Sequence, residues 1–346
     1  MKFYNKPIYI ILSTAMTTVI TSCTGRTEMT CVEDIKRQLR PLPAELFHPE
    51  FNIDSIDGAS EDYFSFYDLD IESEDASVSH TFGTFTSGDY TLAAHIYVPE
   101  NYTAVLVCVH GYLTHVVQFK HVIKYFTERR YAVACFDMPG HGLSSGPRGA
   151  INDFNEYTDA LNVFTDYVFS QLDGPYYLTG FSMGGASVIN YLLTDQDLRY
   201  DKYVLAGPLV RNYAWKLSLI GYDIYKPFCR TVPRLNRKDS SNDDFNDFNI
   251  RKDRMHLKEM PVGWLKALHE WNDRIEQAGP VNREVLILQG TEDTVVDYKY
   301  NIEFLKRRLP ASKVVYIEGA RHELFNESLQ YRGMVLDEME RFLRDR

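Results

Sequence analysis

Three residue types able to make an activated nucleophile occur in a telling order: Ser182, then Asp293, then His322. Ser182 lies in Gly180-Phe181-Ser182-Met183-Gly184-Gly185, directly after the apolar run Tyr176-Tyr177-Leu178-Thr179. A Gly-x-Ser-x-Gly turn between a strand and a helix pushes a hydroxyl out at the carboxyl edge of a sheet. The helix expected from Met183 to Leu193 aims free N–H groups and its positive dipole end at the same spot. A serine hydroxyl attacks poorly until a base takes its proton. Asp293 follows the short apolar strand Val285–Gln289, and His322 follows the strand Lys313–Ile317. Of the histidines after Ser182 (His256, His269 and His322), only His322 directly follows an expected strand. An ordered Ser, Asp and His on carboxyl-edge loops is the pattern of acyl transfer through a covalent intermediate. Glu292 and Asp297 are rival acids. Asp297 falls nearer the next helix and is read as bracing its loop.

Such chemistry needs oxyanion donors. One comes from the residue after the nucleophile and one from the loop after an earlier strand. Ala104–Val109 reads as a central strand running into His110-Gly111-Tyr112-Leu113. The expected donors are therefore the backbone N–H groups of Met183 and Tyr112. His110 and His115 precede the serine and are read as structural, as are Asp137 and His141 in the Pro139-Gly140-His141-Gly142 turn.

The elements that must position these residues alternate. Strands begin near Ala104, Tyr131, Tyr176, Lys202, Val285 and Lys313, with helical spacing at Asp153–Leu172 and Glu327–Leu343. Alternation of this kind predicts an α/β fold, a mostly parallel sheet with helices on both faces. Thr81–Phe85 and Tyr90–Val98 flank Ser87-Gly88-Asp89 and read as an antiparallel hairpin. From Pro208 to about Pro280 the alternation lapses, so this stretch is expected to be an insertion over the serine. Its apolar residues Trp215, Leu219, Ile220 and Tyr222 recur at near-helical intervals and could line an acyl channel.

Taken together the motifs resemble the monoacylglycerol lipase and lysophospholipase branch of the α/β-hydrolases, the serine aminopeptidase-like group. The pieces are His110-Gly111-Tyr112-Leu113-Thr114-His115, then Phe136-Asp137-Met138-Pro139-Gly140-His141-Gly142-Leu143-Ser144-Ser145-Gly146, and Gly180 to Gly185. Gln289-Gly290-Thr291-Glu292-Asp293 and Gly319-Ala320-Arg321-His322-Glu323 complete the set. They run in family order from about Ser79 to the C-terminus. The resemblance implies an α/β-hydrolase domain over residues 77–346, with a helical cap inserted at about 208–280. It implies a serine ester hydrolase whose likeliest substrates are lysophospholipids or monoacylglycerols, and no metal or organic cofactor. Tyr112 and Leu113 are bulkier than the small residue and glycine that often follow His-Gly in the family, which bears on the width of the acyl pocket. Two other readings stand beside it. A peptidase releasing N-terminal residues would need a cap acid for the substrate ammonium; Asp223, Asp243, Asp244 or Glu270 could serve. A non-catalytic surface-binding lipoprotein would have no need of the Ser-Asp-His set.

The N-terminus carries an address. Lys2 and Lys6 precede the apolar, Thr-rich stretch Pro7–Ile20, too short to span a bilayer, which then reads Ile20-Thr21-Ser22-Cys23. This resembles a bacterial lipobox. It implies a signal peptide over 1–22, lipidation at Cys23, and a membrane-anchored lipoprotein of the bacterial cell envelope. Residues 23–76 read as a tether or edge segment, whose later aromatics either hang free or pack on the domain. Cys108 and Cys135 are expected in the core; Cys31 and Cys229 could pair outside the cytoplasm. The chain has 346 residues, room for one large α/β domain with an insertion, and a net charge of −11, which disfavours nucleic acid as a partner.

Overall fold

The computed structural model describes residues 58–195, 197–234 and 237–345, with Lys36 alone before them. The expected signal peptide, Cys23, Cys31 and most of the tether lie outside the described residues.

The centre is an eight-stranded sheet. Its strands are β1 (Val78–Ser87), β2 (Tyr90–Pro99), β3 (Ala104–Val109), β4 (Tyr131–Phe136), β5 (Tyr176–Phe181), β6 (Lys202–Ala206), β9 (Val285–Gly290) and β10 (Ser312–Ile317). Their order is β1-β2-β4-β3-β5-β6-β9-β10. The β1–β2 hairpin is antiparallel, β2 pairs antiparallel with β4, and every later pairing is parallel. β3, β4 and β9 are buried at every position, as strands covered on both faces must be.

Two apolar layers sandwich the sheet. One face carries α4 (Asn155–Gln171), α5 (Met183–Thr194), α8 (Val262–Ile275) and α9 (Tyr298–Arg308). Phe154, Phe164, Ile189, Trp271 and Phe304 fill this layer. The other face carries α1 (Gly58–Tyr67), the short α2 (Ile71–Glu74), α3 (Lys120–Thr127) and α10 (Leu329–Arg344). Here Tyr63, Phe64, Tyr67, Leu69, Phe126, Val335 and Met339 are buried together. The packed unit therefore begins by α1, ahead of the hairpin. Cys108 and Cys135 are buried in neighbouring strands, where desolvation holds both thiols well above their ordinary pKa.

The insertion after β6 holds α6 (Trp215–Tyr225), β7 (Thr231–Pro233), α7 (Asp243–Asp247), β8 (Glu259–Pro261) and α8. It is not purely helical, since β7 and β8 form a small antiparallel pair. The expected acyl-channel lining also needs correction. Leu219 and Ile220 are both exposed, at 39% and 57%. α6 meets α8 through Trp215 and Tyr222, whose rings lie 4.8 and 6.0 Å from that of His269. Ile220 is two residues from Tyr222 on a helix, about 200° around, and so points to the other side.

Candidate active site

The sheet order places the site. From β3 the chain steps to β4 on one side, then crosses back to β5 on the other. Loops leaving the carboxyl ends of β3 and β5 diverge there and leave a crevice, the usual ligand position in such sheets. The loop after β3 carries Tyr112, and the turn after β5 carries Ser182.

Ser182 adopts φ 52°, ψ −111°, a conformation that costs a non-glycine residue roughly 1–3 kcal/mol unless its surroundings impose it. They do. The Ser182 N–H donates to the Ala206 carbonyl at 3.0 Å, and the Ser182 carbonyl accepts from Ala186 and Leu209, each at 3.0 Å. The flanking glycines are required by space. A Cβ on Gly180 would lie 2.5 Å from the Gly184 carbonyl oxygen, and one on Gly184 would lie 1.9 Å from that of Val109.

The three sequence-predicted side chains converge. Ser182 Oγ is 2.9 Å from His322 Nε2, and His322 Nδ1 is 2.7 Å from Asp293 Oδ2. All three residues are buried, Ser182 at 7% exposure, so this is a covered site. Asp293 is held at both oxygens: Oδ1 accepts the N–H groups of Val295 (2.8 Å) and Val296 (3.1 Å), and Oδ2 also accepts from Gln289 Nε2 (3.0 Å). Burial alone would raise its pKa, but His322 and these donors outweigh that and hold it below the ordinary carboxylate value. Burial likewise opposes charge on His322, yet Asp293, with Glu323 and Asp239 behind it, holds the imidazole above the ordinary histidine value. Asp297 stands apart as the N-cap of α9, accepting the Tyr300 N–H at 3.3 Å. Glu292 is exposed.

Among the described residues the N–H groups of Tyr112 and Met183 donate to no protein acceptor. The bulky Tyr112 ring is taken up by the cap. It stacks on Trp264 at 3.8 Å between centroids, and its hydroxyl donates to the Gly149 carbonyl at 2.7 Å. His110 Nε2 accepts the Met138 N–H at 2.8 Å, and Asp137 accepts from the N–H groups of Val116 and Leu143. Both brace loops. His141 Nδ1 lies 2.9 Å from the Pro139 carbonyl of its own turn.

Two features had no sequence signal. Gln118 ties the two halves of the site: its Oε1 accepts the Gly111 N–H at 2.9 Å, and its Nε2 donates to Glu323 at 3.0 Å. A cap strap, residues 237–242, is stitched to the acid and histidine loops. Arg237 donates to the Thr294 carbonyl, Glu323 N–H to the Asp239 carbonyl, and Arg321 to the Lys238 and Ser240 carbonyls. The buried Glu327 carboxylate takes the N–H groups of Ser241 and Arg321. The strap brings Asp239 beside His322. Its carboxylate is pushed up by burial, with His322 and two arginines opposing, and accepts no hydrogen bond among the described residues. The four acids considered for a substrate ammonium do not share this place. Asp223, Asp243 and Glu270 pair with Lys226, Lys238 and Lys266 at the surface, and Asp244 is exposed. Among the described residues no group of three or more His, Cys, Asp or Glu could hold a metal ion.

A mostly parallel sheet with a strained serine after its fifth strand, an in-line histidine and acid, and a cap over them defines an α/β-hydrolase. The chain belongs to the Hydrolase_4 family, described as serine aminopeptidase, S33, whose model matches residues 100–329. It is 25% identical over 233 residues to the phospholipase YtpA of Bacillus subtilis, covering 65% of this chain and 89% of that one. It is 26% identical over 245 residues to the monoglyceride lipase of Mus musculus, covering 68% and 80%. Among solved structures, a soluble variant of the Saccharomyces cerevisiae monoglyceride lipase superposes with a TM-score of 0.66 at 17% identity, covering 75% of this chain and 94% of that one. The protein is an ester hydrolase of the lipase and lysophospholipase type.

Proposed function

We propose that this protein hydrolyses lysophospholipids or monoacylglycerols through an acyl-enzyme on Ser182. The observation that carries the reading is the unbroken hydrogen-bonded line Ser182–His322–Asp293 at a covered site. Ser182 Oγ attacks the ester carbonyl while His322 Nε2 takes its proton. Asp293 keeps the imidazole in the tautomer that leaves Nε2 free to accept, and stabilises the imidazolium. The N–H groups of Tyr112 and Met183 hold the oxyanion, each worth roughly 3–4 kcal/mol in such sites. Collapse expels the alcohol, which takes the proton from His322. Water, deprotonated by the same histidine, then releases the fatty acid and restores Ser182.

The proposal extends to location. The basic start, short apolar stretch and Ile20-Thr21-Ser22-Cys23 support export and lipid anchoring at Cys23 in the bacterial envelope. α6 adds an exposed apolar face, with Leu217, Ile220, Ile224 and the nearby Phe228 all more than half exposed. A face of this kind suits a lipid surface. No helix among the described residues is long and apolar enough to cross a membrane.

The aminopeptidase reading keeps one specific observation in its favour, a partly buried acid, Asp239, whose backbone carbonyl accepts the N–H of Glu323, the residue after His322. One experiment separates the two. Lysophospholipid, monoacylglycerol and aminoacyl anilide are each mixed with the enzyme, and intact mass is followed on the millisecond scale. An acyl adduct from the lipid esters, absent in Ser182→Ala, supports the proposal. Turnover of the anilide alone would overturn it.

A further inference from the structure

The helix α1 lies ahead of residues 100–329, the stretch the family model matches. It nevertheless touches both the cap and the loop that carries Tyr112. Tyr67 Oη donates to Asp253 Oδ1 at 2.8 Å. Asp253 belongs to the insertion, and the same oxygen accepts the Met255 N–H at 2.8 Å and stands 3.4 Å from His115 Nε2. His115 sits on the loop after β3, three residues past Tyr112. The Tyr67 ring packs edge-on to the His115 ring at 5.0 Å and to Phe248 of the cap at 5.9 Å. Phe66 adds contacts to Phe248 at 5.8 Å and to the Arg254 guanidinium at 5.0 Å.

The loop so gripped needs gripping. Leu113 adopts φ 59°, a left-handed conformation that disfavours a residue with a Cβ. It is held from both ends. Arg234 of the cap donates to the Leu113 carbonyl at 3.0 Å, and His115 is drawn toward Asp253 two residues later. Burial opposes charge on His115, but Asp253 and Asp137 outweigh it. Burial opposes charge on Asp253 too, yet His115 and the donors around it bring its pKa down to about 2. Each group thus favours the charged form of the other, in a contact where both are buried.

We infer that α1 is an intramolecular clamp on the oxyanion loop, with Tyr67, Asp253 and His115 as positioning residues that set the Tyr112 N–H. The inference rests on the proposed role of Tyr112. An oxyanion donor acts in the transition state more than in the ground state, so its misplacement lowers kcat and spares KM.

The test uses the full chain. Tyr67→Phe keeps the ring and removes one hydroxyl; Asp253→Ala removes the hub. kcat should fall about threefold to tenfold in Tyr67→Phe and further in Asp253→Ala, a displaced donor being costly well below 1 Å. The double variant should lose no more than Asp253→Ala, as members of one network do. A merely structural role would slow all substrates alike. A clamp acting through the oxyanion hole should slow an oxygen ester more than the matching thionoester, whose sulfur accepts hydrogen bonds poorly, so the ratio of their rates should fall. Amide hydrogen exchange at residues 110–116 should quicken in Tyr67→Phe, a readout that stands even for an enzyme found inactive on esters. An unchanged ester-to-thionoester ratio together with unchanged exchange would overturn the clamp. Absence of ester turnover in the wild type would instead overturn the ester reading and leave exchange to decide the clamp.

Discussion

Two helices of the same insertion are both rich in apolar residues, and the fold treats them oppositely. On α8, Trp264, Leu265, Leu268, Trp271 and Ile275 are buried in the main core. On α6 no residue is buried. α8 gathers its apolar residues into one stripe, with polar Lys266, Glu270 and Asp273 on the other side. α6 places Trp215 and Tyr222 on one side and Leu217, Ile220 and Ile224 on the other, so one neighbour can cover only half of it. α8 anchors the cap: Trp271 stacks on Phe154 at 5.0 Å and donates to Asn190 at 3.1 Å. α6 is left as its outer face. Apolar content alone therefore says little about burial; its distribution around the helix says more.

The contrast can be broken from the catalytic side first. Asp293→Asn should lower kcat on the order of 10⁴-fold by favouring the wrong imidazole tautomer. The melting temperature should barely move, and vesicle binding through α6 should persist. Asp297→Asn, touching only a helix cap, should keep near-normal turnover. A reversal of these two in steady-state assays would show that the acid is misassigned.

Next comes the anchor. Trp271→Ala should cost about 3–5 kcal/mol, as truncation of a fully buried tryptophan does. Denaturant unfolding monitored by circular dichroism reads this directly. A loss under 1 kcal/mol would mean that α8 is not what ties the cap down.

The outer helix should behave in the opposite way. Leu217→Ser with Ile220→Ser should leave stability within about 0.5 kcal/mol per site, the usual range for exposed positions. Hydrolysis of a soluble butyrate ester should be unchanged, while hydrolysis of lysophospholipid in vesicles should drop severalfold. Equal rates on vesicles would remove the lipid-facing role from α6.

The smallest effect concerns pH. His322 must be neutral to accept the serine proton, and its pKa lies above the ordinary histidine value. kcat/KM should therefore fall as pH drops through that raised value. Asp239 is among the charges that raise it, so Asp239→Asn should move the acid limb to lower pH by a few tenths of a unit. A limb that stays in place or moves up would show that the strap carboxylate does not act on His322.

Much of this site is legible in the sequence because the chemistry is local. Gly180 and Gly184 must be glycine where backbones nearly touch, so the elbow announces itself. Asp293 and His322 stand just past apolar runs, and alternation of runs gives the order of strands. β3 matches the expected Ala104–Val109 residue for residue, and β9 and β10 agree with their expected ranges to within one residue. Gln118, Asp239 and Glu327 carried no such mark. Each matters through partners distant in sequence, such as Gln118 with Glu323 at 3.0 Å, and no local pattern encodes a pairing of that range.

The sequence by itself determined the candidate nucleophile, acid and base in their order, and the sheet that carries them, since turn sterics and hydrophobic period act within a few residues. Tertiary structure alone decided which cap helix is buried, which strap residue is tied to the histidine loop, and that a helix ahead of the family domain reaches the loop after β3. Those outcomes depend on which surfaces meet once the chain has closed, and Tyr67 and Asp253, 186 residues apart, meet only then.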